Sequence, residues 1–386
     1  MRSYANMKMA IIGAGLMGQA ALHDLAKVED IDQLAIFDID LTRAQEVSRR
    51  FSGGEAVATR LDASDEVQAA SVLRDFDAAV ACTTYQHNEG LTRAAIKAGC
   101  HLVDLGGNND VVRAQLAMSP EAEKAGVIVI PDCGLAPGMV SLMVADGVER
   151  LGKVTAAKIR VGGLPQSPRL PLNYQIVFSV EGLLNEYWEP CVILDGGKRK
   201  IVNPMTAVEK LEFDGIGELE AFYTSGGSST LPETYEGKID FLDYKTIRYP
   251  GHCVLLKAML EIGLASRKPV QIDGQPIEPR AVFREVLGRC LSSNDLDLVL
   301  VRVMVEGDKA GKSTTLTYEI VDRQASGTSL TAMMRCTAFP AAIIAHLAAS
   351  GQITDRGVKP QEIAVRPSLF FAQLRKRGID MTLRES

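Results

Sequence analysis

With 386 residues, 46% of them hydrophobic, the chain is long enough to bury a large core in two domains. A net charge of −6 without a long basic run argues against nucleic acid or a membrane surface as the main partner, which leaves small molecules. The seven cysteines show no Cys-x-x-Cys and no zinc spacing, so buried, reduced thiols and no metal are expected in a cytoplasmic protein. No apolar run is read as reaching bilayer length, and residues 1–6 have no signal-peptide core behind them.

The first predicted elements are an apolar strand at 9–12, a turn with Gly13, Gly15 and Gly18, and a helix over 19–28. Gly13 permits the tight turn, Gly15 lets the backbone approach a pyrophosphate, and Gly18 lets the helix pack close to the strand. Leu16 and Met17 border that approach. A second strand over 33–38 ends in Asp38, at the spacing where a carboxylate meets the adenine ribose. Asp38 would repel the 2′-phosphate of NADP and no Arg follows at once, Arg43 standing further on, so the expected cofactor is NAD. Asp40 is the competing acid, alternatively a helix N-terminal residue.

A helix over 41–51 and a third strand over 56–61 lead to Asp62, which either meets the adenine or, with Ser64, caps the next helix. The fourth strand, 77–84, ends in Thr83 and Thr84. Ligands in open parallel sheets bind beyond such strand ends, so Thr83, Thr84, Tyr85 and Asn88 are expected at the cofactor. A helix over 88–98 precedes a fifth strand whose polar, glycine-rich end carries Gly106 and Asn108. After a sixth strand, 127–132, a second Gly/Pro-rich turn, 133–138, opens a helix near 139 and is expected under the nicotinamide. This alternation marks a doubly wound parallel sheet.

Past residue 150 the pattern changes to a strand over 154–161, a helix over 179–187, hairpins through 226, and a long antiparallel hairpin from 297–305 and 313–321. A second α+β domain with a mixed or antiparallel sheet, 151–326, is expected to bind substrate and make homo-oligomer contacts. Residues 327–351 read as a helical stretch interrupted at Pro340, and 368–377 as a final helix. With these, 327–386 is expected to complete the first domain, 1–150.

Five segments together resemble the saccharopine dehydrogenase superfamily, and within it the NAD-dependent lysine 6-dehydrogenases. They are 101–109 (HLVDLGGNN), 131–138 (PDCGLAPG), 161–165 (VGGLP), 172–174 (LNY) and 246–252 (TIRYPGH). The resemblance implies an N-terminal Rossmann domain, a central substrate domain, and oxidation of the ε-amine of L-lysine to allysine with release of ammonia. The chain departs from the saccharopine reductases at Ala136, where those carry Asp, and in 218–230, which lacks their Arg-Asp-Ser-type loop. Both departures favour a smaller amine. A saccharopine-type reductase and a non-enzymatic NAD sensor are the alternatives.

Hydride leaves only from a neutral amine, whereas a free lysine side chain titrates near about 10.4, so a base is required. The candidates are His252, Glu181, Asp132 and Tyr174, with a satisfied helix N-terminal histidine as the plainer reading of His252. Arg248 is the candidate for the substrate carboxylate, because a guanidinium offers two parallel hydrogen bonds, with Arg169 behind it. Asn173, Tyr174 and Thr246 would position substrate. Cys133 reads as packing, and His87 and His101 as structural.

Overall fold

Alternating apolar runs and helices build one parallel sheet in the first part of the chain, as the sequence pattern predicts. In the computed structural model, residues 7–177, 179–292 and 295–386 are described; residues 1–6, on which the absence of a signal segment was expected, lie outside them. Strands β1 (Met7–Ile12), β2 (Ile31–Asp38), β3 (Val57–Arg60), β4 (Ala78–Ala81), β5 (His101–Asp104) and β6 (Ile128–Ile130) lie in the order 3-2-1-4-5-6. The short strand Gly357–Val358 extends the sheet beyond β6. All these pairings are parallel, and the order reverses between β1 and β4, which is where such sheets bind ligands.

The parallel strands are apolar on both faces because helices cover both. Ala10, Ile12, Ala79, Ala81, Leu102 and Val129 belong to one core with the helices on their side. The helix Ala332–Ala349 supplies another buried element, running through Pro340 where an interruption was expected. By length and composition it is apolar enough to span a bilayer, contrary to the sequence reading, but 83% of it is buried as a core helix would be. Pro340 has no amide to donate to the carbonyl four residues before it, and burial of Phe339, Ala341, Ala342, Ile343 and Ile344 around it is what keeps the helix continuous against the local rule.

The second sheet is mixed. Its strands run in the order Glu209–Phe213, Gly217–Tyr223, Phe241–Arg248, Lys153–Pro165, Asp297–Lys309, Lys312–Arg323, Met381–Glu385. Only Phe241–Arg248 with Lys153–Pro165 is parallel; the hairpin Cys191–Asp195/Lys198–Val202 pairs with the former strand from one side. Because side chains alternate, Tyr244, Thr246 and Arg248 share one face and Asp243 and Lys245 the other. On the latter face Arg160 meets Asp243 through two bonds of 2.7 and 3.1 Å, and Glu209 bridges Arg160 and Lys245.

The chain divides into two units, 1–146 with 334–380, and 147–333 with 381–386. Residues 327–333 and 381–386 thus lie with the second unit, where the sequence reading had grouped them with the first. The reason is hydrogen bonding: Met381–Glu385 pairs along Leu316–Ile320, and the Asp297 carboxylate accepts from the amides of Ala332 and Met333.

Candidate active site

The glycine turn has the shape the motif demands. Gly13 sits at φ +103°, and a Cβ there would lie 2.7 Å from the Cys82 carbonyl oxygen; a Cβ on Gly18 would lie 1.8 Å from the carbonyl of Gly13. At Gly15 the same addition meets nothing nearer than Arg43 Nη2 at 4.0 Å, so the space before the helix Leu16–Leu25 is open. Gly15 caps that helix without a side-chain bond, leaving its first amides for an anion. Leu16 is exposed and Met17 half-buried in its first turn. Across the switch point, the buried Thr83 hydroxyl has no partner among the described residues, a polar atom placed for a ligand. These features fit a dinucleotide.

Asp38 lies beside the turn, accepting from the amides of Ala14 at 2.7 Å and Asp40 at 3.0 Å. Asp40 takes the plainer role, capping the helix Leu41–Ser52. Arg43, which sequence distance had set aside, folds back to donate its Nε to the Ala14 carbonyl at 2.9 Å. Asp62 and Ser64 do not cap the next helix; Asp65 does, while Asp62 accepts from both the amide and the hydroxyl of Ser64. Thr84 is exposed, Tyr85 packs over Gly107, and Asn88 is buried with its side-chain Oδ1 unpartnered among the described residues.

Beyond β5 the chain is committed to its own fold. Buried Asp104 accepts from the amides of Gly106 and Asp132 and from Gln115, and burial raises its carboxyl. Gly106 is at φ +71°, where a Cβ would run into the Asp132 carboxylate. Asn108, expected at the cofactor, uses its side-chain oxygen to cap the helix Asn109–Leu116. Cys133 is buried with its thiol raised, an inert packing residue. His101 accepts from the Ile128 amide through Nδ1, and burial lowers it to about 4. Among the described residues no cluster of three or more His, Cys, Asp or Glu could hold a metal.

In the second unit a polar cluster forms around Arg248, which is 2% exposed. Its Nε donates to the Tyr187 hydroxyl at 2.7 Å and Nη1 to its neighbour's carbonyl, Ile247, at 2.8 Å. The Tyr174 ring lies 4.6 Å from the guanidinium carbon. No carboxylate touches Arg248 and Nη2 has no partner among the described residues. The buried cations Arg160, Lys245 and Arg280 are each held by a carboxylate. A buried guanidinium with no carboxylate bonded to it is costly unless a ligand supplies one.

Tyr187 continues the chain of bonds to His252 Nε2 at 3.0 Å, and His252 Nδ1 donates to the Leu172 carbonyl at 2.9 Å. Burial, then the charge of Arg248, lowers His252 to about 3. It is held as the neutral tautomer with both nitrogens occupied, which removes it as the base. The helix it opens, His252–Met259, is started by Glu220, whose carboxylate accepts from the amides of Gly251 and Cys253.

Two family models match, one described as the saccharopine dehydrogenase NADP binding domain over residues 9–130, the other as the saccharopine dehydrogenase C-terminal domain over 134–379. The chain belongs to the saccharopine dehydrogenase family. Its first unit is accordingly a nicotinamide-dinucleotide-binding domain. A similar protein is saccharopine dehydrogenase [NADP(+), L-glutamate-forming] of Saccharomyces cerevisiae, 25% identical over 74% of this chain but only 65% of the relative's length. Carboxyaminopropylagmatine dehydrogenase of Synechocystis is 20% identical and covered at 96% on both sides. The solved apo saccharopine dehydrogenase (L-Glu forming) from Saccharomyces cerevisiae shares the fold, with a TM-score of 0.81 at 20% identity, over 98% of this chain and 100% of that one.

Within the second unit Arg248, Tyr174, His252 and Thr246 come together from the sequence candidates, and Glu181 does not join them. Thr246 bonds the Thr224 hydroxyl at 2.6 Å on the Arg248 face. Glu181 points to the other side of its helix, held by Arg267, Arg280 and Arg284, so it is no base. Asp132 belongs to the first unit, in the loop after β6. Asn173, at φ 49°, is a turn residue whose amide bonds the Arg169 carbonyl. Arg169 is exposed and paired with Asp295 at 2.9 Å, on the rim of a cavity of about 390 Å³ that Tyr174 also lines.

Sequence reasoning missed Glu186. It is half-buried, its backbone carbonyl accepts from the Ser225 amide at 2.9 Å, its carboxyl has no hydrogen-bond partner among the described residues, and burial pushes that carboxyl up to about 7 against the opposing charge of Arg248. The signal was partial: Leu183, Leu184 and Tyr187 form the buried stripe of the helix Val180–Trp188, and Glu186, three residues after Leu183, flanks that stripe about 60° from its edge.

Proposed function

We propose that this chain is a nicotinamide-dependent oxidoreductase acting on the amine of a small amino acid, and that the amine is the ε-amine of L-lysine. The observation that carries the reading is Arg248: a buried guanidinium with a free Nη2, aromatic walls and no carboxylate bonded to it among the described residues is a site for one carboxylate. The Tyr174 hydroxyl, unpartnered among the described residues, adds a hydrogen-bonding group beside it. Because the remaining buried cations of the unit are already paired, the cluster offers charge for a monocarboxylate rather than for the several carboxylates of saccharopine. A bound oxidised nicotinamide would supply the hydride acceptor, and the imine left on the substrate would be hydrolysed by water to ammonia and allysine.

For the cofactor, Asp38 favours NAD by repelling a 2′-phosphate. A second reading, NADP, is favoured by Arg43, whose guanidinium lies against the same turn, and the named fungal relative is an NADP enzyme by its own name. The test is a panel of amines with NAD and with NADP, followed by absorbance of the reduced cofactor and by ammonia. L-lysine should give both products in equal amounts. Arg248→Ala should raise the KM for lysine far more than that for the dinucleotide; reduction with saccharopine and not lysine would overturn the lysine assignment.

A further inference from the structure

Resting on that reading, we propose that Glu186 takes the proton from the substrate's ammonium, and that a substrate carboxylate seated on Arg248 is what makes it a strong enough base to do so. The helix is tied to the Arg248 strand at two places around Glu186: Tyr187 accepts from Arg248 at 2.7 Å, and the Glu186 carbonyl accepts from the Ser225 amide at 2.9 Å, next to Thr224, whose hydroxyl bonds that of Thr246 on the Arg248 face at 2.6 Å. The two are not bonded to each other. Each keeps a polar surface uncommitted, whereas the neighbouring acids are spent: Glu181 on three arginines, Glu220 on a helix start, and Asp243 and Glu209 on the network across the sheet.

The ionisable groups that act on Glu186 or on its partner are Arg248 and Tyr244 from the strand, Tyr174 from the preceding loop, Tyr187 from its own helix and His252 beyond Arg248. The tyrosines are raised by burial and His252 is lowered, so all four are neutral near pH 7. Arg248 is then the charge that holds the Glu186 carboxyl down. A carboxylate on Arg248 cancels that charge, and the basicity of Glu186 rises as a consequence. The step transfers one proton: an N–H bond of the ammonium breaks, an O–H bond forms on Glu186, and the amine keeps the electron pair needed for hydride loss. A ligand without a carboxylate leaves Arg248 unscreened and the base weaker.

Two measurements test this. In calorimetry of the cofactor-free protein at pH 7, hexanoate titrated in buffers of different ionisation enthalpy should bind with net proton uptake, and Glu186→Gln should bind it with none. In turnover, Glu186→Gln should lower kcat by about 100-fold on both L-lysine and 6-aminohexanoate and abolish the acidic limb of the pH profile. Glu186→Asp should keep a limb, displaced. Proton uptake that persists in Glu186→Gln, or an unchanged pH profile, overturns the proposal. A defect confined to the KM of lysine, with 6-aminohexanoate untouched, would make Glu186 a clamp for the α-ammonium and equally overturn it. Wild-type protein inert on every amine overturns the functional reading itself, and this proposal with it.

Discussion

Asp38 and Arg43 are an acid and a base held against the same glycine turn, one by accepting the Ala14 amide and the other by donating to the Ala14 carbonyl. They act in opposite directions on a 2′-phosphate, so their separate removal should move cofactor preference oppositely. Asp38→Gly should improve the kcat/KM ratio for NADP over NAD at least about tenfold, the effect of roughly 1.4 kcal/mol. Arg43→Ala should cost NADP use more than NAD use; equal losses would mean that it only braces the turn. His252 gives a prediction of another kind. Held neutral at about 3 against an ordinary value near 6.5, it must gain a proton on unfolding at any pH between the two. Its contribution to stability is therefore present above the unfolded value and is lost as pH falls towards the folded one. In His252→Gln the pH dependence of urea unfolding between about 6.5 and 3 should be shallower by up to one proton; an unchanged slope would place the titration elsewhere.

The strand Phe241–Arg248 does two jobs because it alternates. Tyr244, Thr246 and Arg248 furnish one face, while Asp243 and Lys245 complete the ion network with Arg160 and Glu209 on the other. The network's bidentate Arg160–Asp243 pair sits where strands from distant parts of the chain meet in parallel, Asp243 opposite Lys158 and Lys245 opposite Arg160. Removing one partner leaves a buried charge only partly satisfied by Glu209. Asp243→Ala should therefore destabilise the second unit by about 3 kcal/mol, read as a lower urea midpoint at unchanged slope. A loss below about 0.5 kcal/mol would mean that water replaces the carboxylate. The helix Val180–Trp188 divides its acids the same way: Glu181 is bound by arginines and Glu186 is left on the Arg248 side.

Each unit is discontinuous in sequence, and the chain's last strand, Met381–Glu385, pairs with Lys312–Arg323. Ser386 adds a reciprocal pair of backbone bonds with Thr315. Deleting 381–386 exposes the edge of Lys312–Arg323, and the melting transition of the second unit should fall. Dinucleotide should still raise the transition of the first unit, since ligand binding stabilises only the fold that binds it. Calorimetry with and without cofactor checks both; loss of the cofactor-dependent shift would show that the tail serves the first unit.

The glycine turn, Asp38 and the alternating strands and helices of the first unit were legible in the sequence because their conformations are set within a few residues: Gly13 needs its positive φ wherever it stands. The hairpins of the second unit were legible for the same reason. Arg43 at the turn, the parallel pairing of Phe241–Arg248 with Lys153–Pro165, and the isolation of Glu186 were not, because each depends on a partner that only folding brings near. Tyr187 and Arg248 are 61 residues apart in sequence and 2.7 Å apart in space. Periodicity records which side of an element is buried; which charge waits there unpaired is decided by the packing of remote strands.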